Sequence, residues 1–376
     1  MSRPSHPEYS AADYLIINTG ATYIAEPRYG LTYLSDSSLH DLWDLIYGEV
    51  TSPVIEFTRG SFEVDGELDI QADDTVVRGQ GPQATELKLG DGVDTNVFAQ
   101  NTYHHNIYIG DLTIHGNRDN NTVGNGIDFN PGACTYAGTS QYWGWVHINN
   151  IQICEMDEAA IYLRSTSGTH VQSAINGFRI HDNDGDSSGY DIALLRLWDL
   201  WVGGGGQNNC ADIRCSGVTT SIFDNIYFGV ASSANLSVQG ASDGLLFNGC
   251  RFDNSTAHAV EIIDTTSRCT FNGCTMTNFN QSGTTDTHAC ISLEDTTSYN
   301  NFLNCFMGHT KITGDRWTYV VDEIDTSDYN KFIGCVSGYG AIDGGNAEHF
   351  TQNEYSINGN TTIANCYKDN GAAWNA

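Results

Sequence analysis

One motif recurs at nearly fixed intervals through the second half of this chain. A large apolar residue is followed by cysteine three residues later in five copies: Phe247 to Cys250, Phe271 to Cys274, Phe302 to Cys305, Phe332 to Cys335 and Ile363 to Cys366. Successive cysteines are 24, 31, 30 and 31 residues apart. Repeats of this length are typical of solenoids and propellers, in which each repeat buries its apolar face against its neighbours.

A second motif keeps the same phase. Asp264, Asp295 and Asp325 each open an Asp-Thr turn sequence after a short apolar run. One period therefore holds three short strands and their turns, with no room for a ten-residue helix. A four-stranded propeller blade needs about 40 residues. The sequence thus predicts an all-β fold, a single-stranded parallel β-helix. In the Asp positions we expect turn formation, with a bound cation as the alternative.

The cysteines themselves are predicted to be structural. The chain has 11 of them, an odd number, and their spacing does not match a CxxC metal site. A cysteine at a fixed place in a repeat behaves as a small buried apolar residue that stacks on its neighbours. We therefore expect columns of free thiols rather than disulfides.

An amphipathic helix is predicted before the first coil. Leu39, Leu42, Trp43 and Ile46 share one helical face, after the N-cap residue types Asp36 and Ser37. Such a helix would cover the open edge of the first coil. The predicted organisation is an N-terminal extension with its capping helix (1–53), a parallel β-helix (54–368) with an excursion near 182–212, and a C-terminal tail (369–376).

The charge balance restricts the class of partner. The chain has 46 acidic and 16 basic residues, for a formal net charge of -30. Binding to nucleic acid through phosphate neutralisation requires clustered Lys and Arg, so nucleic acid and anionic membrane are not expected partners. The sequence has no apolar run of 18 residues, so membrane insertion is not expected. A dispersed acidic excess is what a protein made in a high-salt cell would carry, because salt screens its repulsion.

Several segments resemble the pectate-lyase superfamily of right-handed parallel β-helices. They are Tyr14–Ile17, Tyr23–Ala25, Val54–Phe57 with Gly60, Val76–Gly81, Thr85–Leu87 and Leu112–Asn117. The resemblance implies a right-handed solenoid. Because residues 1–12 are polar and show no signal peptide, the chain looks most like viral tailspikes and virion-surface β-helices, which are made in the host cytoplasm. The acidic composition then suggests a virus of halophilic archaea.

This resemblance implies a virion-surface spike, fibre or turret that binds host surface polysaccharide or glycoprotein. We expect a homo-oligomer associated with other virion proteins. The alternative is a tailspike-type polysaccharide depolymerase, a glycoside hydrolase or lyase. A free, extracellular carbohydrate-active enzyme of a halophile is a third reading.

Motifs of the enzymatic β-helices are largely missing. Of the acidic motifs of polygalacturonases only Asp73-Asp74 occurs, where a turn is expected. A hydrolase would need two carboxylates on one groove. Two groups offer them: Glu155, Asp157 and Glu158, and Asp182, Asp184 and Asp186. Catalytic residues are left unassigned, and no cofactor is expected, with a structural cation in the 182–186 loop as the open alternative.

Aromatic residues give the predicted glycan-binding site. Four of the seven tryptophans fall between 143 and 201, where the repeat is interrupted. Exposed aromatic rings beside acidic residues suit sugar rings, and insertions in solenoids often carry the binding face. The predicted site comprises Trp143, Trp145, Asp182, Asp184, Tyr190, Trp198 and Trp201. The alternative is that these rings pack the excursion against the solenoid.

Overall fold

The computed structural model divides into two compact units, residues 1–193 and 194–376. It describes residues 12–28, 30–102, 104–130, 146–170, 174–181, 183, 192–198, 201–203, 213–229, 234–278, 289–309, 320–339, 355–356 and 360–368. Side chains are not described at 165–170, 181, 196–198, 201–203, 309, 338–339, 355–356 and 367–368. No helix among these residues is long and apolar enough to cross a membrane.

The described part of unit 1 contains one α-helix and the strands that precede residue 193. The helix α1 is Leu39–Glu49. The strands are β1 Tyr14–Asn18, β2 Tyr23–Pro27, β3 Leu34–Asp36, β4 Val54–Phe57, β5 Gly60–Val64, β6 Leu68–Asp69, β7 Val76–Arg78, β8 Thr85–Leu89, β9 Phe98–Gln100, β10 Ile107–His115, β11 Ile127–Phe129, β12 Val146–Cys154, β13 Ile161–His170 and β14 Ala174–His181. Strand β15, Ile192–Trp198, spans the boundary between the units.

The helix α1 has the predicted buried face but a different N-cap. Leu39, Leu42, Trp43 and Ile46 are all buried. The N-cap is Ser38, one residue beyond the predicted Asp36 and Ser37, and the Ser38 side chain accepts from the Asp41 N–H at 3.0 Å. Asp36 instead accepts from the Ser38 N–H at 3.0 Å, one position before the cap. Asp36, Ser37 and Ser38 are all suitable N-cap residue types. Ser38 is the cap because its side chain is the one that accepts the Asp41 N–H.

The coils of unit 1 use long, bent strands. Strand β10 pairs in parallel with β7 and β8 on one side and with β12 on the other, and β12 pairs with β14. Each long strand turns a corner at one left-handed residue: Asp111, Asn150 and Gly177, with φ of 56°, 49° and 62°. A second parallel sheet, from β6, β9, β11 and β13, closes these coils. At the N-terminal end, β1 pairs antiparallel with β2 and parallel with β4.

Unit 2 has three short strands in each coil, as the repeat predicts. The strands are β16 Trp201–Gly203, β17 Ile213–Ser216, β18 Ile222–Asp224, β19 Tyr227–Phe228, β20 Leu236–Gln239, β21 Leu246–Asn248, β22 Arg251–Asp253, β23 Val260–Ile262, β24 Thr270–Asn272, β25 Thr275–Thr277, β26 Ile291–Leu293, β27 Asn301–Leu303, β28 Phe306–His309, β29 Val321–Glu323, β30 Lys331–Ile333, β31 Val336–Tyr339, β32 Tyr355–Ser356, β33 Thr362–Ala364 and β34 Tyr367–Lys368. They stack into three parallel sheets. Both units are thus built from the coils of a right-handed parallel β-helix.

A column of phenylalanines fills the core of unit 2. Phe223, Phe247, Phe271, Phe302 and Phe332 are fully buried and occupy the same position in successive coils. Neighbouring rings are stacked, with centroids 4.5 to 4.8 Å apart. This separation equals the spacing of paired strands, so each coil repeats the contact made by the one before.

The cysteines of the repeat form a second buried column, which confirms the predicted free thiols. Cys250, Cys274, Cys305, Cys335 and Cys366 are unpaired and buried, and each Sγ lies 3.3 to 3.5 Å from a phenylalanine carbonyl of the preceding coil. Hydrogen bonding within the column and burial raise the pKa of the Cys274, Cys305 and Cys335 thiols to about 12. These three thiols are therefore protonated at neutral pH, which is the less nucleophilic form.

The repeated aspartates form turns, as predicted. Asp264, Asp295 and Asp325 have left-handed backbones with φ of 62°, 59° and 59°. The Asp264 carboxylate accepts the Gly240 N–H at 2.8 Å, and the Asp295 carboxylate accepts the Asp264 N–H at 3.1 Å. Each of these carboxylates is thus hydrogen-bonded to the backbone of the preceding coil, which offsets the repulsion expected from stacked charges.

Candidate functional site

The predicted aromatic site stays a prediction. Trp143, Trp145, Asp182, Asp184 and Tyr190 lie outside the described residues. Trp198 ends β15 and Trp201 begins β16, but their side chains are not described.

The predicted carboxylate group at 155–158 separates in the structure. Glu155 lines a surface cleft. Glu158 instead accepts from the Asn125 amide at 3.1 Å, away from the cleft lining. The sequence places these acids together, but the turn between β12 and β13 sends them in different directions. Asp182, Asp184 and Asp186 lie outside the described residues, whereas Asp73 and Asp74 form the predicted turn.

The cleft lies in unit 1 and has a volume of about 490 Å³. It is open to solvent and mostly polar. Its lining comes from β5, the loop before β8, β8, β10 and β12: Gly60, Ser61, Pro82, Gln83, Ala84, Thr85, Glu86, Thr113, His115, Gln152, Cys154 and Glu155. Four successive coils therefore contribute to a single surface.

The register of the parallel strands aligns the polar side chains of the cleft. Ser61 pairs with Glu86, Glu86 with Thr113, and Thr113 with Gln152. The same register continues from Gln152 to Arg179 on β14. Because alternate residues of a strand face the same side, these side chains form one row across the coils, with a repeat near 4.8 Å. The row presents a hydroxyl, a carboxylate, a second hydroxyl, an amide and a guanidinium in turn.

Hydrogen bonds fix the side chains at the Ser61 end of this row. The Ser61 hydroxyl donates to the Glu86 carboxylate at 2.7 Å. The Thr113 hydroxyl donates to the Pro82 carbonyl, which ties the loop before β8 to the cleft floor. Thr113 is buried, while Glu86 and Gln152 are half-buried. The loop therefore forms one wall of the cleft, and the Glu86 and Gln152 side chains remain accessible to a ligand.

A histidine–carboxylate pair stands beside the row. The Asn117 N–H donates to His115 Nδ1 at 3.0 Å, so in the neutral ring the proton is on Nε2. Nε2 lies 3.3 Å from the Glu155 carboxylate. Glu155 is held there by a left-handed backbone, with φ of 54°. Its carboxylate is 43% exposed, so it can accept a further hydrogen bond from a bound molecule.

An ion pair between a buried aspartate and a half-buried arginine lies on the other sheet of unit 1. Arg164 donates to the Asp128 carboxylate at 2.7 Å and lies over the Tyr162 ring, 4.4 Å from its centroid. Burial raises the pKa of Asp128, although Arg164 opposes the shift. Glu67 and Glu158 add to the increase because they carry like charge. Asp128 is absent from the cleft lining, and we assign this pair a structural role.

Sequence reasoning missed most of the cleft. Ser61, Glu86, Thr113 and Gln152 are separated by intervals of 25, 27 and 39 residues, which do not form a regular repeat. The available signal was the alternation in β8 and β10, where polar residues at every second position mark the outward face. Strand alternation gives the face of each residue, but the alignment of four strands requires their register.

Comparisons with solved structures agree on the fold. The A-module of the mannuronan C-5 epimerase AlgE4 from Azotobacter vinelandii shares 15% identity, at a TM-score of 0.59, over 88% of this chain and 96% of that one. PfbA, a surface adhesin of Streptococcus pneumoniae, shares 11% identity, at 0.57, over 88% of this chain and 85% of that one. The enzymatically active domain of tailspike protein 2 from bacteriophage CBA120 shares 10%, at 0.51, over 96% of this chain and 50% of that one.

At such low identities the similarity concerns the right-handed β-helix alone. No protein-family model matches the chain, and no curated protein matches it in sequence.

Proposed function

We propose that this protein is displayed on a virion surface and binds host polysaccharide through the cleft of unit 1. The observation that carries the proposal is the row from Ser61 through Glu86 and Thr113 to Gln152, which opens into a cleft of about 490 Å³. Hydroxyl, carboxylate and amide groups in a row match the hydroxyl-rich edge of a sugar chain. The similarity of fold to a phage tailspike domain and a bacterial adhesin supports the surface location.

The charge of the cleft narrows the class of polysaccharide. Glu86 and Glu155 place two carboxylates in the cleft lining, where partly buried charges are screened less by salt and would repel the carboxylates of a bound polyuronate. Carboxylates bind neutral hydroxyls as acceptors and bind amino sugars more strongly, through charge-assisted hydrogen bonds. We therefore expect a neutral or amino-sugar-containing polysaccharide.

A glycan array probed at high salt tests this function. We expect labelled protein to bind neutral or amino-sugar polysaccharides, and Glu86→Gln and Gln152→Ala each to weaken binding about ten-fold, as expected for loss of one hydrogen bond to a ligand. Glu26→Gln is the matched control, because Glu26 is an exposed strand carboxylate outside the cleft. Equal binding by Glu86→Gln, Gln152→Ala and the control, or binding confined to polyuronates, would contradict the proposal.

The predicted aromatic site gives a competing location on the same chain. If Trp198 and Trp201 carry the binding, Trp198→Ala and Trp201→Ala reduce adsorption while Glu86→Gln leaves it unchanged. The same array measures both sets of variants. The cleft proposal expects the opposite order of effects.

A second candidate function is a polysaccharide depolymerase of the same fold, and the His115–Glu155 pair favours it. The Glu155 carboxylate, which His115 Nε2 holds at 3.3 Å in an open polar cleft, can accept a proton from the attacking water or a sugar hydroxyl. In this case, incubation with the bound neutral or amino-sugar polysaccharide releases new reducing ends by hydrolysis. His115→Ala should then lower the rate at least 100-fold. Binding without release of fragments by the wild-type protein would leave the adhesin function.

The wider proposal concerns assembly and source. We propose a homo-oligomer that associates with other virion proteins, in a virus of a halophilic host, where salt screens the 46 acidic side chains. Sedimentation velocity at 0.1 M and 3 M NaCl tests this: we expect an oligomer at high salt and dissociation or unfolding at low salt. A folded monomer at both salt concentrations would contradict the proposal. Isolation of the protein as a free extracellular enzyme, not attached to virus particles, would also contradict it.

A further inference from the structure

A histidine and two glutamates meet on one sheet of unit 2. His258 and Glu261 belong to the coil of β23, and Glu294 follows β26 in the next coil. One ligand atom from each side chain lies within 4.8 Å of the other two. All three side chains are half-buried. The trio is separate from the cleft of unit 1 and from every residue that the sequence singled out.

Each of the three side chains is oriented by a defined neighbour. The Ser237 hydroxyl donates to the Glu261 carboxylate at 3.1 Å, and the Ser292 hydroxyl donates to the Glu294 carboxylate at 2.8 Å. Both serines are buried, Ser237 at 2% and Ser292 at 0% exposure. Ligating carboxylates in metal sites are held by such hydrogen bonds, because the bond fixes the oxygen that faces the metal.

The histidine ring is oriented by the backbone of the next coil. The Ala289 N–H donates to Nδ1 at 3.0 Å in the neutral ring that carries its proton on Nε2, and the Ala289 carbonyl oxygen lies 3.2 Å from the same Nδ1. When a metal takes the place of the Nε2 proton, the ring proton moves to Nδ1 and is donated to that carbonyl, and Nε2 binds the metal. A backbone carbonyl behind a ligating imidazole is the common arrangement in protein metal sites.

We infer that His258, Glu261 and Glu294 form a binding site for a divalent transition-metal ion such as Zn²⁺, which links two adjacent coils. One imidazole nitrogen and two carboxylate oxygens suit Zn²⁺ or Mn²⁺, whereas Ca²⁺ prefers six or more oxygens. Ligand atoms around Zn²⁺ lie about 3.5 Å apart in a tetrahedral site. The three ligand atoms lie within 4.8 Å of one another, so side-chain rotations would bring them to this separation, and water would complete the coordination.

Zinc titration of the chelator-treated full chain tests the site. We expect one Zn²⁺ per chain by calorimetry and a Tm increase of about 5 °C at saturating zinc, because a ligand that binds only the folded state stabilises it. Glu294→Gln and His258→Ala should each lower zinc affinity at least ten-fold, and Ser292→Ala about ten-fold. Asp119→Asn is the control, since Asp119 is an exposed acid outside the trio.

Three results would overturn the inference. They are no zinc binding by the folded wild-type chain, equal affinity in Glu294→Gln and Asp119→Asn, and a Tm increase with Ca²⁺ as large as with Zn²⁺. Should the variants unfold, Co²⁺ added to the wild-type chain gives a second measurement. The inference requires a visible d–d absorption band from bound cobalt that zinc abolishes, and the absence of that band would also overturn it.

Discussion

The two units build the same kind of coil in different ways. Unit 2 repeats one solution, with three short strands per coil and the same phenylalanine, cysteine and turn aspartate in register. Unit 1 instead uses long strands, of which β10, β12 and β14 each bend at a single left-handed residue, and its coils differ in length. The cleft with its varied polar row belongs to unit 1.

If the cleft of unit 1 binds a ligand as proposed, unit 2 provides repeated stabilising contacts and unit 1 provides the recognition surface. Identical residues in register add the same contact at every coil, which stabilises the stack but presents a monotonous surface. A surface that recognises a ligand needs different side chains in adjacent coils, as in the row from Ser61 to Gln152. The following variants test this contrast, from the largest expected effect to the smallest.

Phe271→Ala should be the most damaging change. It removes a fully buried ring that stacks on Phe247 and on Phe302, at 4.6 and 4.8 Å. We expect a loss of about 3 to 5 kcal/mol in the free energy of unfolding, measured with urea. Ile114→Ala, at a buried position of β10 in unit 1, should cost less, about 2 to 4 kcal/mol. A smaller loss for Phe271→Ala than for Ile114→Ala would break the contrast.

Cys305→Ser tests the thiol column. The hydroxyl is more costly to bury than the thiol, and its shorter bond to carbon moves it away from the Phe271 carbonyl that Cys305 contacts at 3.4 Å. We expect a loss of about 1 to 3 kcal/mol by urea denaturation. Cys305→Ala, which buries no polar group, should cost less than Cys305→Ser. If serine is tolerated better than alanine, the column is polar rather than apolar.

Gly273 tests the turn that directly precedes the cysteine in each repeat of unit 2. Its φ is 62°, and a Cβ there would meet no atom within 4 Å, so any cost comes from the backbone alone. Gly273→Ala should lose about 1 kcal/mol. Gly273→Asn should lose less, because Asn304 and Asn365 have φ of 54° at the equivalent turn. Thermal unfolding of the two variants measures the difference, and equal losses would show that the cost is not conformational.

The Asp128–Arg164 and Asp243–Arg268 pairs should give pH dependences of opposite sign. Burial raises the pKa of Asp128 in unit 1, so its stabilising contribution is greatest below the ordinary value of 3.8 and decreases as the pH rises. In unit 2 a hydrogen bond from Arg268 lowers the pKa of Asp243 below 3.8, so its contribution is present above that pH and is lost on acidification. The Arg268 end is exposed, and we expect the smaller effect there.

Urea titrations of Asp128→Asn and Asp243→Asn between pH 3 and pH 7 measure both effects. The difference in unfolding free energy between wild type and variant should decrease with rising pH for Asp128 and increase for Asp243. If this difference changed with pH in the same direction for both variants, burial of the aspartate would not be what distinguishes the two pairs.

The repeat in the sequence was enough to predict the fold. Phe271 and Cys274 recur in phase with Asp264, and a period near 30 residues leaves room only for short strands. The helix α1 followed from the spacing of Leu39, Leu42, Trp43 and Ile46 alone. These features are local or strictly periodic, so a single chain reveals them without knowledge of contacts.

The candidate sites could not be predicted in the same way. The cleft depends on the register between strands 25 to 39 residues apart, and Glu155 separates from Glu158 only because the intervening turn redirects the chain. His258 and Glu294 are 36 residues apart, and Glu294 reaches the trio beside the buried Ser292 in the next coil. The spacing of residues in the sequence does not show which side chains the stacking of coils brings together.

The turn aspartates give the coils of unit 2 a direction. The Asp264 carboxylate satisfies the amide of Gly240, and the Asp295 carboxylate satisfies that of Asp264, so each coil is completed by the one that follows it in the chain. During synthesis, the exposed amide of the newest coil would therefore bond to water until the carboxylate 24 or 31 residues further along the chain has emerged. Growth of the solenoid on the ribosome would proceed one coil behind translation.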